Sequence, residues 1–122
     1  MIFRTMNHPL AVAFLFSALV TAPAFADARG DARKQVEFGI AVAQKGLWRE
    51  AIYRWQRATE LDPTFAQAFN NLAIAHEHEG ALDKARAAYE KALQIEPSNP
   101  LIKQNFDLFK EINDRIGRKD GR

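Results

Sequence analysis

Small and apolar residues recur along this chain at a spacing of 34 positions. The residues that recur unchanged are Ala32, Ile40, Ala41, Gly46, Ala51, Ala58 and Pro63, which return as Ala66, Ile74, Ala75, Gly80, Ala85, Ala92 and Pro97. A period of this length is typical of a helix–turn–helix unit that buries its apolar face by stacking on its neighbours. The pattern therefore predicts an interaction surface in preference to a catalytic pocket.

Within each unit the apolar spacing predicts two helices, A and then B. In the first unit we expect helix A to begin after Asp31 as N-cap. Gly46 should end it, because glycine adopts the left-handed conformation of a helix C-terminus without steric cost. Helix B is predicted from Trp48 to Leu61, where apolar residues lie three and four positions apart. It should stop at Asp62, since a following proline disfavours helix.

The second unit repeats this plan, with its turn at Gly80 and its stop before Pro97. A last helix is predicted from Pro100, because proline suits the first turn and Asn99 can cap it. Its apolar stripe comprises Ile102, Phe106, Phe109, Ile112 and Ile116. No second helix follows it, so we expect it to cover the apolar end of the second unit.

The combined pattern resembles the tetratricopeptide repeat. In the second unit the matching residues are Phe69, Leu72, Ala73, His76, Gly80, Leu82, Ala85, Tyr89, Ala92 and Pro97. In the first unit they are Gln35, Phe38, Gly39, Val42, Gly46, Trp48, Ala51, Trp55, Ala58 and Pro63. The resemblance implies an all-α solenoid of two helix–turn–helix repeats plus a C-terminal capping helix. The small residues Gly39, Ala51, Ala73 and Ala85 should lie where helices cross closely.

The predicted organisation of the chain is a signal peptide (1–26), a linker (27–31), repeat 1 (32–65), repeat 2 (66–99), a capping helix (100–116) and a polar tail (117–122). The signal is predicted because Arg4 precedes a short apolar run and Ala24-Phe25-Ala26 offers a cleavage site. We therefore expect a periplasmic or secreted protein that begins at Asp27. The alternative is an uncleaved membrane anchor, although about 20 apolar residues are needed to span a bilayer.

Composition excludes several classes of function. The 17 basic and 15 acidic side chains give a net charge of +2, so no nucleic-acid partner is predicted. No cysteine is present, which excludes disulfides. After the predicted signal the one serine is Ser98, which the last turn explains. His76 and His78 are two positions apart and do not share a helix face, whereas a tetrahedral metal site needs about three or four convergent ligands. No catalytic residue, metal or cofactor is predicted.

The resemblance also implies a concave groove formed by the A helices. The residues predicted to line it are Val36, Ile40, Asn70, Asn71, Ile74, Gln104 and Leu108. Some family members clamp a peptide's terminal carboxylate, at positions that fall here on Val36, Ile40, Asn71, Leu101 and Asn105. The cationic residues of that clamp are missing. An apolar helix or extended peptide is therefore the expected ligand, unless part of this strip belongs to the core.

The predicted function is a non-catalytic scaffold or adaptor of the cell envelope that binds a protein or peptide. A first alternative is a self-associating structural subunit, such as a homodimer. Two and a half repeats are fewer than the roughly three usually needed for stability, and a second copy would bury the remaining apolar surface. A second alternative is an accessory subunit of an envelope enzyme complex, held by an uncleaved anchor.

Overall fold

The computed structural model describes the backbone of residues 22–120 and the side chains of residues 27–117. Its helices are α1 (Ala22–Gln44), α2 (Trp48–Leu61), α3 (Ala66–His78), α4 (Leu82–Ile95) and α5 (Pro100–Asp120). The described range contains no β-strand. The predicted all-α helical-repeat fold is confirmed, with α1 and α2 forming repeat 1, α3 and α4 forming repeat 2, and α5 closing the C-terminal end.

Two glycines make the turns inside the repeats. Gly46 has φ 77° and Gly80 has φ 74°, in the left-handed region that glycine adopts freely. The amide of the next residue reaches back into the preceding helix each time, from Leu47 to the Val42 carbonyl at 3.0 Å and from Ala81 to the His76 carbonyl at 2.8 Å. These hydrogen bonds satisfy carbonyls left free at the helix end. The predicted turns and the bounds of α2 are confirmed.

The start of α5 also follows the prediction. Asn99 Oδ1 accepts hydrogen bonds from the amides of Leu101 at 3.0 Å and Ile102 at 3.2 Å. This N-cap satisfies amides that have no partner inside the helix. The helix runs on to Asp120, past Ile116 where the sequence predicted its end.

The N-terminal end of α1 differs from the sequence prediction. The helix begins at Ala22, so it includes residues 27–31, for which the sequence predicted a linker. Asp31 is not an N-cap and pairs instead with Lys34 at 3.1 Å. Alanine favours helix, and Arg29 fixes this segment to the turn between α2 and α3 through an ion pair with Asp62. Most of the predicted signal peptide lies outside the described residues.

The close helix crossings are confirmed. Ala51, Ala73 and Ala85 are fully buried. A Cβ atom on Gly39 would lie 2.3 Å from Trp55 Nε1, which is far inside van der Waals contact. The helices can approach this closely because these positions carry little or no side chain.

The first half of α5 covers repeat 2. Ile102 packs with Ala66 and Ala92, and Phe109 packs with Tyr89. Further along the same helix, Ile112 is 45% exposed and Ile116 is 50% exposed. None of the described helices is both long and apolar enough to cross a membrane.

Candidate groove between α1 and α3

A cavity of about 310 Å³ opens between the A helices of the two repeats. It is lined by Ile40, Ala43, Gln44, Trp48, Trp55, Asn71 and Ile74. None of these lining residues carries a charge. The surface suits an uncharged, largely apolar ligand and offers few polar contacts.

Trp55 forms a rigid wall of the cavity. Its side chain is 3% exposed, and its indole Nε1 donates a hydrogen bond to the Val36 carbonyl at 3.1 Å. The ring reaches α1 because Gly39 has no Cβ in its way. One glycine thus places an α2 aromatic ring at the surface formed by the A helices.

Trp48 forms a second aromatic wall. Its ring lies 4.1 Å from the ring of His78, centroid to centroid, at an angle of 39°. This contact joins the start of α2 to the end of α3, so it links the two repeats beside the cavity. Nearby, burial lowers the pKa of His76, with a smaller contribution from Lys84. His76 is therefore neutral at physiological pH.

Asn71 and Gln44 are the polar residues of the cavity lining, and Asn71 is the one with a buried, unpaired atom. Its Nδ2 atom is buried and has no hydrogen-bond partner among the described residues. The amide at the same position one repeat later, Asn105, donates to Asn70 Oδ1 at 3.1 Å. The later amide therefore joins α3 to α5, whereas Asn71 retains a donor for something else.

The structure brings together part of the predicted groove. Ile40, Asn71 and Ile74 line the same cavity, and Ile74 is 38% exposed. Val36 and Asn70 are 2% and 4% exposed and do not line this cavity. Val36 belongs to the hydrophobic core.

The predicted groove residues on α5 lie apart from this cavity. Gln104 and Leu108 are exposed and do not contribute to its lining. A second cavity of about 260 Å³ opens between α3 and α5 and is more polar. Its lining comprises Phe65, Gln67, Asn70, Glu96, Asn99, Leu101 and Ile102. The cavity between α1 and α3 is thus apolar, whereas the cavity between α3 and α5 is more polar.

Trp48 and Trp55 are not among the groove residues predicted from the sequence, yet both line the cavity, and Trp55 also belongs to the core. The signal that could have identified Trp55 is the glycine at position 39, which leaves room for the larger ring. No comparable signal marks Trp48.

The described residues show no arrangement suited to metal binding, since no three potential histidine or acidic ligands come together among them. The hydroxyl of Tyr89 donates to Glu77 Oε1. Burial raises the pKa of Tyr89 well above its usual value, and the Glu77 carboxylate adds to the effect. Tyr89 therefore serves as a protonated donor that holds α4 against α3.

Comparison with known proteins finds a family model and several relatives that match the two repeats. A family model described as tetratricopeptide repeat matches residues 36–100, more than half of the chain. Protein O-mannosyl-transferase TMTC1 of Mus musculus is 31% identical over 78 residues, which are 64% of this chain and 8% of that protein. Small glutamine-rich tetratricopeptide repeat-containing protein 2 of Mycosarcoma maydis is 32% identical over 71 residues, 58% of this chain and 20% of that protein.

Photosystem I assembly protein Ycf3 of Synechococcus sp. is 28% identical over 87 residues, which are 69% of this chain and 50% of that protein. The chain spans half or less of the length of these curated relatives.

Proposed function

We propose that this chain, which belongs to the tetratricopeptide repeat family, is a non-catalytic adaptor that binds a protein partner through the cavity between α1 and α3. Repeats of this family generally mediate protein–protein interaction, and stacked repeats create concave surfaces for it. The observation that carries the proposal is the uncharged, mainly apolar lining of a cavity on the A-helix face. Such surfaces receive the apolar side of a helix or an extended peptide.

The exported location is part of the same proposal. It is supported by the short apolar run and the Ala24-Phe25-Ala26 site in the sequence. We expect the protein recovered from the cell envelope to have the intact mass of a chain that starts at Asp27. Recovery of a species that retains residues 1–26 in the membrane fraction would instead favour an anchored accessory subunit.

The binding proposal is tested by charging the cavity. Ile40→Asp combined with Ile74→Asp should abolish capture of protein partners from an envelope extract, because a carboxylate in an apolar contact is desolvated without a partner. Since Ile40 is partly buried, Ile74→Asp alone serves as the milder variant. Leu108→Asp places the same charge on the exposed face of α5 as a control.

Helical circular dichroism identifies the folded variants, and only those are compared. Loss of the same partners by Ile74→Asp but not by Leu108→Asp supports the proposal. Retention of every partner by a folded Ile74→Asp protein would show that the cavity is not the binding surface.

A second candidate, self-association, is favoured by one observation on α5. Exposed apolar residues follow one side of this helix, namely Leu101, Leu108, Ile112 and Ile116. A second copy could cover them, as expected where the described residues form two full repeats. We expect the average molecular mass in solution to rise with protein concentration. In the Ile112→Glu variant this mass should be lower at the same concentration. A monomeric mass at high concentration would exclude it.

A further inference from the structure

We propose that the cavity between α1 and α3 takes one large uncharged side chain from the interior of a partner segment, and that Asn71 donates a hydrogen bond to the backbone carbonyl beside it. This inference rests on the proposed function and states the chemistry of the ligand. It excludes a free C-terminal carboxylate as the recognised group.

The size of the cavity supports a single anchoring side chain. Its volume of about 310 Å³ is at the lower end of the roughly 300–1,000 Å³ typical of small-molecule sites. A leucine or phenylalanine side chain fits in such a space, which is open to the surface on one side. The rest of the partner segment must therefore run along the surface.

The charge of the lining selects an uncharged anchor. The cavity residues are apolar, aromatic or amide side chains throughout. The lining contains no lysine, arginine or histidine. A terminal carboxylate placed there would lose its hydration without meeting a cation, which is strongly unfavourable. A neutral side chain within a continuous peptide has no such penalty.

Asn71 supplies the polar contact that the ligand must complete. A buried donor without an acceptor is costly, and native structures rarely leave one unpaired. Among residues 27–117 no acceptor reaches Asn71 Nδ2. A peptide carbonyl next to the anchor would satisfy this donor and fix the orientation of the segment.

The aromatic walls are fixed before binding. Trp55 is held by its hydrogen bond to the Val36 carbonyl, and Trp48 is held against the His78 ring. A site whose side chains are already ordered loses less conformational entropy on binding. The cavity is therefore suited to an anchor even though it provides few polar contacts.

Trp48 and Trp55 are the two tryptophans of the chain, so intrinsic fluorescence reports occupancy of the cavity directly. The probes are three short peptides in a serine–glycine background. The first has a central leucine and blocked ends, the second has alanine in place of leucine, and the third ends in leucine with a free carboxylate. The blocked leucine peptide should give a saturable change in emission. Each of the other two should bind at least about tenfold more weakly, from the lost apolar burial or from the buried charge.

The contribution of Asn71 is tested with Asn71→Asp, which keeps the shape but replaces the donor by a charged acceptor. The blocked leucine peptide should bind this variant at least about tenfold more weakly, because two acceptors then face each other. Gln56→Glu is the matched control, since it makes the same change at an exposed position of α2 that lines neither cavity. It should leave the affinity unchanged.

Two results would overturn the inference. One is tighter binding of the free-carboxylate peptide than of the blocked peptide. The other is equal binding, or no binding, of the leucine and alanine peptides. If the peptides fail while folded Ile74→Asp still loses its partners, the anchor is wrong and the adaptor function stands. If the peptides bind in the expected order while Ile74→Asp keeps its partners, the anchor stands and the adaptor function at this surface fails.

Discussion

The second helix of repeat 1, α2, and that of repeat 2, α4, have the same length. The residues that pack where the two helices of each repeat cross are nevertheless different. In repeat 1, Gly39 faces Trp55, whose indole donates to the α1 backbone. In repeat 2, Ala73 lies in one core cluster with Tyr89, whose hydroxyl donates to Glu77. The larger ring accompanies the smaller partner, so the occupied volume is conserved while the polar contact changes.

This exchange has a consequence for binding. Because Gly39 lets the indole approach α1, Trp55 becomes a wall of the apolar cavity between α1 and α3. Tyr89 lies instead beneath Phe106 and Phe109 of α5 and is 1% exposed. One pair of residue differences within a common fold thus separates a repeat that borders an apolar cavity from a repeat that receives the capping helix.

The largest expected effect concerns the close helix crossing that both repeats share. Ala51 and Ala85 are both fully buried at the same repeat position. Ala85→Trp should unfold the domain or lower its stability by at least about 3 kcal/mol, because the crossing has no room for a ring. Ala87→Trp, at an exposed position of the same helix, should be tolerated. Thermal melts of both proteins are the measurement, and equal melting temperatures would contradict the assigned register.

The next prediction concerns the Gly39–Trp55 pair of repeat 1, whose two residues are first replaced one at a time by those of repeat 2. Gly39→Ala should lower stability by about 1–3 kcal/mol despite the better helix propensity of alanine, since its Cβ would clash with Trp55. Trp55→Tyr alone should also lower stability, because it leaves a void and removes apolar burial. Chemical denaturation gives both values.

The double variant Gly39→Ala with Trp55→Tyr recreates the pair of repeat 2. Its loss of stability should be smaller than the sum of the two single losses, by about 0.5–3 kcal/mol for residues in contact. Strict additivity would mean that Gly39 and Trp55 do not compensate each other. The double variant still lacks the larger indole ring of Trp55 at the cavity, so the blocked leucine peptide should bind it more weakly than it binds the unaltered protein.

The sequence predicted those parts of the fold that local signals mark. The turns at Gly46 and Gly80 and the cap at Asn99 each depend on one residue type at one position. The start of α1 could not be predicted in this way, because Asp31 resembles a cap. The contact that fixes this segment joins Arg29 to Asp62, which are far apart in sequence.

The candidate groove was only partly predictable, for a geometric reason. Helical periodicity assigns a side chain to a face, but neighbouring positions on that face differ by a modest rotation. Ile40 and Ile74 line the cavity, whereas Val36 is core. Whether an aromatic from α2 reaches the same face depends on how closely two helices approach, which periodicity does not state.

A third prediction concerns pH. His76 occupies the position in repeat 2 that Val42 occupies in repeat 1. A change of stability caused by protonation at this position is therefore expected in repeat 2 alone. Burial lowers the pKa of His76 in the folded state below the usual value of 6.5. As the pH falls through that value, the unfolded chain binds more protons than the folded one, so folding stability decreases. The melting temperature should fall between about pH 7 and pH 5, and the slope should be shallower in His76→Val. An unchanged slope would assign the effect to other groups.

The smallest expected effect concerns the edge of repeat 1. Phe38 is 47% exposed, whereas Leu72, at the same position in repeat 2, is 7% exposed because α2 covers it. In repeat 1 the cover is Arg54, whose guanidinium lies 4.2 Å from the Phe38 ring centroid and whose Nε donates to Glu50 at 2.8 Å. A long basic side chain can shield an aromatic ring while keeping its charge in solvent.

Arg54→Ala should therefore lower stability by about 0.5–1 kcal/mol, the usual range for a cation over an exposed ring. Arg57→Ala is the matched control, because Arg57 on the same helix pairs with Glu60 and lies in no described ring contact. An exposed pair of that kind contributes between about 0 and 1 kcal/mol. The difference between the two variants therefore reports the contacts of Arg54 with the Phe38 and Tyr53 rings together with its hydrogen bond to Gln35. Equal effects, measured by chemical denaturation at moderate salt, would mean that the exposed ring gains nothing from Arg54. Phe38 would then be an exposed ring without a stabilising contact, whereas Leu72 at the same position of repeat 2 is buried.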